Sequence, residues 1–446
     1  MDNLATPSPS PTVAVPSSPV EKVAWLRLIR TDHVGPATFW SLLADHGSAS
    51  AALAALPRLA MKAGRAPMTI PTHTQAEDEI ARAEAVGAKL YASGEDGYPP
   101  LLTHIEARPP LIYQKGDPAI WRRPTIGIVG ARNASVAGTR IAAMFAHDLG
   151  RAGAVVVSGL ARGIDGAAHR AALPMGTAAV TAGGIDVIYP PEHAGLHTDI
   201  CETGIVVTEC WPGLQPRAQD FPRRNRIISG CSLGVIVVEA SERSGSLITA
   251  RLAAEQGRDV FAVPGHPLDP RAEGPNALLK RGATLATCAD DVLSALDIAL
   301  REWPRYPSAA LPVAPHRTPG AGMREPETPI QEDTLSCLDW EDMLEDRPEP
   351  RRYGGFSEPG GGAETPVLIP VQPIDMIETE AGMPEWADAR DVVTRALQIT
   401  PVSVDDLIRF TGLDARTVAV ALVELELAGI VERSGRQLVS LKGNAG

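Results

Sequence analysis

Arg223, Arg224 and Arg226 fall within the ten residues FPRRNRIISG (221–230) of a 446-residue chain whose formal net charge is −13. The segment follows the β-rich run IVVTEC and has the apolar spacing of a helix, so the arginines, with Asn225 among them, are expected in its first turn. Cations there oppose the helix macrodipole and cost stability unless an anion compensates. Either a bound phosphate or the chain's own carboxylates (Asp220, Glu209, Glu239) would do so. Guanidinium groups grip phosphate through paired donors, and a local phosphate site is the preferred reading.

Three further stretches offer similar chemistry. GIVGARNASVAG (127–138) ends a strand at Gly130 and opens a helix near Ser135. Bare amides at a helix N-terminus attract anions, glycine permits close approach, and Arg132 adds a fork of donors. A tight turn with no ligand explains the same residues. The spacing is neither GxGxxG nor GxxxxGK[ST], and Ser158 stands where a dinucleotide binder would place an acidic residue. SGLARGIDGAAHRAAL (158–173) repeats the strand-to-helix pattern, with Ser158, Gly159 and Gly163 suited to phosphate and Arg162 adding charge. Asp165 and His169 share a helix face, but a helix-start carboxylate and a hydrogen-bonded histidine account for them better than a metal. In EASERSGSLIT, Ser244 and Ser246 either contact phosphate or cap the helix. For catalysis only Glu209, Glu239 and Asp165 lie near strand ends, and nothing resembles a strand-to-helix GxSxG nucleophile elbow, HExxH or a two-metal carboxylate cluster. No catalytic residue, metal or cofactor is assigned.

These residues need a common edge to act together. From Thr125 short apolar runs alternate with amphipathic helices: TIGIV, AVVVSG, TAAVTAGG, IVVTEC, GVIVVEA and DVFAVPG. That alternation predicts a Rossmann-like parallel sheet of six or seven strands covered on both faces over residues 98–300. All the candidate loops then fall at the carboxyl edge, where open α/β sheets bind ligands. An irregular stretch before it contains a strand at Leu111–Gln114.

Residues 1–20 read as a disordered Pro/Ser tail without the features of a signal peptide. Residues 21–90 form a small all-α unit with a helix-hairpin-helix-like turn at Val34-Gly35-Pro36-Ala37. Residues 304–385 are Pro-, Gly- and acid-rich and read as a flexible linker. Residues 386–443 show three helices and a β-ribbon around Ser434-Gly435, a winged-helix pattern. Its would-be recognition helix, DARTVAVALVELELAG, carries Arg416 against Asp414, Glu424 and Glu426. That charge suits protein contact better than groove reading. The five cysteines show no CxxC and read as reduced thiols in a cytosol.

IGIVGARNASVAG, VVVSGLARGIDGAAHRAAL, FPRRNRIISGCSLGVIVVEA, SGSLITARLAAEQGRDVFAVPG and GPNALLKRGA together resemble the DNA-processing protein A family (DprA, also called Smf), in family order from about Tyr98 to Leu293. The N-terminal helices and the winged helix fit the same three-part layout. The resemblance implies a cytoplasmic bacterial protein that binds single-stranded DNA and helps load the RecA recombinase during natural transformation. It implies a homodimer formed through the Rossmann-like domain, no nucleotide cofactor and no enzymatic activity. Motif matching carries the family's DNA-contacting arginine onto Arg132 beside Gly130, its basic pair onto Arg223 and Arg224, and its serine-glycine turn onto Ser158 and Gly159. Ala131 replaces a serine common in the family. A nucleotide-processing enzyme of phosphoribohydrolase type is the alternative, but the comparable strand end, EASERSGSL, lacks that group's Gly-Gly pair. A scaffold binding only protein is a third. On the leading reading, Arg132→Ala or Arg224→Ala weakens binding and leaves the fold intact.

Overall fold

The computed structural model describes residues 15–16, 18–62, 68–303, 387–398, 401–434 and 438–442. The stretch 304–385 expected as a linker lies outside the described residues, as does the turn at Gly435.

The first helix, α1 (Pro19–Ile29), begins inside the stretch expected as tail, with Ser18 accepting from the Glu21 amide as N-cap and proline in the first turn. α2 (Pro36–His46), α3 (Ala49–Lys62) and α4 (His73–Ala85) complete the N-terminal unit. Trp25, Phe39 and Trp40 pack edge to face at its centre, 5.1–5.4 Å between rings. Ala92 and Leu111 of the following strands join the same core.

The central unit alternates as its apolar runs require. It contains β1 (Lys89–Ala92), β2 (Leu111–Gly116), β3 (Thr125–Val129), α5 (Val136–Arg151), β4 (Val155–Ser158) and α6 (Ile164–Ala172). β5 (Thr177–Val180), α7 (Ala194–Thr203), β6 (Ile205–Thr208), α8 (Asp220–Gly230), β7 (Gly234–Val237) and α9 (Gly245–Glu255) follow. β8 (Asp259–Ala262), α10 (Glu273–Lys280), β9 (Thr284–Leu285), α11 (Ala289–Ala295) and α12 (Asp297–Glu302) close it. One nine-stranded sheet runs in the order β1-β2-β6-β5-β4-β3-β7-β8-β9. From β6 to β9 every neighbouring pair is parallel. β1 and β2 add an antiparallel edge that the strand count from sequence leaves short, because KLYA has only four residues and no continuous apolar run. α7 also escapes the sequence reading, although parallel β5 and β6 demand a crossover between them. Residues of β3 to β7 are buried throughout. Phe145, Leu149 and Ile164 fill the core on one face, and Ile227, Ile228 and Ala250 the other.

The C-terminal unit is a winged helix: α13 (Ala387–Ala396), β10 (Val402–Ser403), α14 (Val404–Thr411), α15 (Ala415–Leu427), β11 (Val431–Ser434) and β12 (Leu438–Leu441), its strands paired β10-β12-β11. Val136 of α5 is buried within its core beside Val393, Leu397 and Leu422. No helix among the described residues is long and apolar enough to cross a membrane.

Phe145 is fully buried between α5 and the sheet. Phe145→Ala is expected to cost the α/β unit about 3–5 kcal/mol, read as a lowered urea midpoint.

Candidate nucleic-acid interface

The parallel strands all end on one rim, so the loops after β6, β5, β4, β3 and β7 line up along it in that order. A pocket opens on this rim beneath Arg132, Gly159, Arg162, Thr181, Tyr189, Pro216, Phe221 and Arg224. Four of the residues singled out in sequence, Arg132, Gly159, Arg162 and Arg224, therefore meet there.

Arg224 forms the floor. Its guanidinium is buried and donates to the carbonyls of Gly159 and Val180, while Asn225 Oδ1 accepts from its Nε at 3.2 Å. Burial lowers its pKa to about 10, which Asp165 opposes and Arg132 reinforces. Asp165 is itself buried and accepts from the amides of Gly159 at 3.1 Å and Ala161 at 3.4 Å. Burial raises its pKa, against the pull of Arg224 and those amides. Gly159 is required here: a Cβ would stand 2.5 Å from Arg224 Nη1. Leu160 beside it takes a left-handed φ of 59°, with its carbonyl 3.0 Å from His193 Nδ1.

The walls are aromatic and cationic. Arg132 is exposed and lies 4.9 Å from the centre of the Phe221 ring, with Arg224 at 5.8 Å. Tyr189, 41% exposed, is tilted against Phe221 at 5.6 Å. Arg162 reaches Glu192 at 3.1 Å across the mouth, both largely exposed. Arg223 is exposed on the same helix.

Other sequence candidates lie elsewhere. α8 starts at Asp220, so the arginines fall after its first turn and the macrodipole argument weakens for them. Asp220, Phe221 and Pro222 occupy the helix start that the sequence reading assigned to arginine. Arg226 points away from the pocket, pairs with Glu209 and donates to the Ala107 carbonyl at 2.7 Å. For that residue the internal carboxylate weighed at the outset is the observed partner. Ser158 is fully buried and its hydroxyl donates to the Ile128 carbonyl. Gly130 makes room for Ile164, whose Cγ1 would stand 2.5 Å from an added Cβ. Ser244 and Ser246 bond each other at 2.7 Å at the start of α9, and Asn225 Nδ2 donates to the Gly245 carbonyl at 3.3 Å.

The α5 N-terminus already holds an anion. Glu239 at the end of β7 accepts from the Ser135 amide at 2.9 Å and the Ser135 hydroxyl at 2.6 Å. Gln398 of the winged-helix unit donates to the same carboxylate. Burial raises the Glu239 pKa while the Ser135 bonds lower it. Within GIVGARNASVAG the Ser135 amide and hydroxyl are thus taken by a carboxylate of the same chain, while Arg132 stays exposed on the rim.

Sequence reasoning did not single out Tyr189, Thr181 and Pro216. Their signal was positional: they lie in loops following β5 and β6, on the edge already chosen for the arginines.

Fold and rim together define a Rossmann-like protein with an arginine- and aromatic-lined pocket at the carboxyl edge, flanked by two helical units. The family model for DNA recombination-mediator protein A matches residues 89–297, that for the DprA-like N-terminal HHH domain residues 19–83, and that for the DprA winged helix domain residues 378–435. Protein Smf of Escherichia coli is 41% identical over 234 residues, covering 52% of this chain and 63% of that protein. DNA processing protein DprA of Streptococcus pneumoniae is 45% identical over 202 residues, covering 45% of this chain and 71% of that protein. A solved DprA from Helicobacter pylori, described for its single-stranded DNA binding mode, is 27% identical, covering 48% of this chain and 96% of that chain at a TM-score of 0.44. The chain belongs to the DprA/Smf family of DNA recombination mediators.

Arg224 is part of the fold as well as the pocket. Arg224→Ala leaves Asp165 buried without its counter-charge and two carbonyls without a donor. It is expected to cost about 3–5 kcal/mol in urea unfolding, whereas Arg132→Ala leaves the midpoint unchanged.

Proposed function

We propose that this chain binds single-stranded DNA along the carboxyl rim and delivers it to the RecA recombinase in natural transformation. It does so as a cytoplasmic homodimer and as a binding protein rather than an enzyme. The observation that carries the reading is Phe221, held between Arg132 and Arg224 and against Tyr189 in an open pocket. A stacking surface beside guanidinium groups is what a strand bound by its backbone and bases needs, without sequence preference. Gly159, Arg162 and Arg223 supply the adjoining backbone and charge; Gly130, Ser158, Asn225, Ser244 and Ser246 shape the rim from behind. Arg226 anchors α8.

The nucleotide-enzyme alternative is disfavoured by Glu239. In a doubly wound sheet a nucleotide would sit where the strand order reverses, between β3 and β7, and that crevice holds this carboxylate.

Fluorescence anisotropy with a single-stranded oligonucleotide of about twenty bases tests the proposal. Binding should exceed that to duplex and weaken steeply with salt. Arg132→Ala should reduce affinity by about tenfold and flatten the log–log salt slope by about 0.7. Phe221→Leu should weaken binding with the slope kept, because stacking releases no counterions. Equal affinity of wild type and the Arg132→Ala, Phe221→Leu double variant would reject this site. Turnover of nucleoside monophosphates by the purified protein would restore the enzyme reading.

A further inference from the structure

In a winged helix, the position of α15 is ordinarily the one that reads duplex DNA. Here its outward face is apolar. Val420 is 50%, Val423 48% and Leu427 84% exposed, and Ile430 just beyond the helix is 39% exposed. Arg416, Val420, Val423 and Leu427 are spaced by four, three and four residues, which puts them on one narrow stripe of the helix. The fold does not need this stripe: Val418, Ala421, Leu422 and Leu425 on the opposite side form the domain core.

Arg416 is exposed as the second residue of α15, where a cation opposes the helix dipole. Among the described residues no carboxylate lies within ion-pair distance of it. At the far end of the helix Glu426 is 45% exposed and pairs with Arg433 at 3.0 Å. The stripe is therefore basic at its start and apolar along its length, with the acidic Glu426 flanking its far end.

We propose that α15 is a self-association surface, packing antiparallel against α15 of a second copy of this chain about a two-fold axis at Val423. That symmetry makes the surface complementary to itself. It sets Leu427 against the region of Ala419 and Val420 of the other copy, and sets Arg416 opposite position 430. From there Glu426 is one turn away, about 6 Å along the axis and within reach of a guanidinium arm. Arg416 also meets the carbonyl end of the opposing helix, which its charge favours. The contact is small, so it is weak alone and effective where two chains are already held near each other. It involves no residue of the rim pocket and does not depend on the ligand bound there.

The test uses the full chain without nucleic acid. Val423→Cys, treated with a bismaleimide, should give a covalent dimer that a control cysteine on α14, Arg409→Cys, does not. In the Val423→Cys chain, Arg416→Glu should lower the dimer yield about tenfold, since like charges then meet at both ends of the pair. Glu426→Arg alone should do the same. Combining them exchanges the charges and should restore the yield. That rescue distinguishes a second copy from any other partner, whose charges would not change in step. Cross-linking of Val423→Cys no better than the control, or a charge exchange that fails to rescue, would overturn the proposal.

Discussion

The pocket depends on one buried cation. Arg224 is accommodated inside the protein only because two carbonyls and Asn225 take its N–H groups and Asp165 opposes its charge. Those demands propagate. Gly159 must lack a side chain, Asp165 must sit where the amides of Gly159 and Ala161 reach it, and α8 is locked to the ends of β4 and β5. Once α8 is locked, its neighbours are placed. Phe221 lies under Arg132, while Arg226 turns to Glu209 and the N-terminal side. The short basic run is thus three different residues: an exposed cation, a structural bolt and an anchor.

Glu239 imposes a second constraint. Rossmann-like sheets present a helix N-terminus at the point where strand order reverses, and that end attracts anions. In this chain a side chain takes the anion's place. Gly138 leaves just enough room, since a Cβ there would lie 2.3–2.5 Å from the Glu239 carboxyl group. The winged helix then closes over the spot, with Gln398 on the carboxylate and Arg271 donating to the carbonyls of Arg395 and Leu397. Binding chemistry is displaced along the rim, to the ends of β4 and β5. A fold that ordinarily holds mononucleotides leaves an arginine-lined pocket farther along the rim instead.

Much of this was legible because it follows from local rules. The continuous apolar strands and the helices between them specify a buried parallel sheet, and the parallel rule places the loops after the strands on one edge. The motifs that resemble the DprA family lie in those loops. What was not legible turns on long-range pairing. Glu209 and Glu239 were named as internal partners for arginine, but the sequence does not say that Glu209 meets Arg226 while Glu239 serves Ser135. Nor does it say which arginine is buried: Arg223 and Arg224 are adjacent, and only the rotation of α8 against β4 and β5 separates the exposed one from the bolt. Tyr189 was passed over because α7, the helix its loop leads into, escaped the sequence reading, although it stands beside Phe221.

The two helical units bound the rim. On one side Arg30 of the N-terminal unit pairs with Glu79, donates to the Glu209 carbonyl and lies 5.4 Å from the Trp211 ring. On the other side the winged helix buries Val136, and its Asp406 meets Arg140 at 2.9 Å. What stays open is the span from β3 to β6, three strand spacings or about 14 Å. A span that short engages only a few nucleotides of any strand it holds. A longer polynucleotide must pass over a flanking unit and be gripped again, which one rim cannot do. On the proposed function several rims would share one strand, and a contact between chains gains from the local concentration the strand sets.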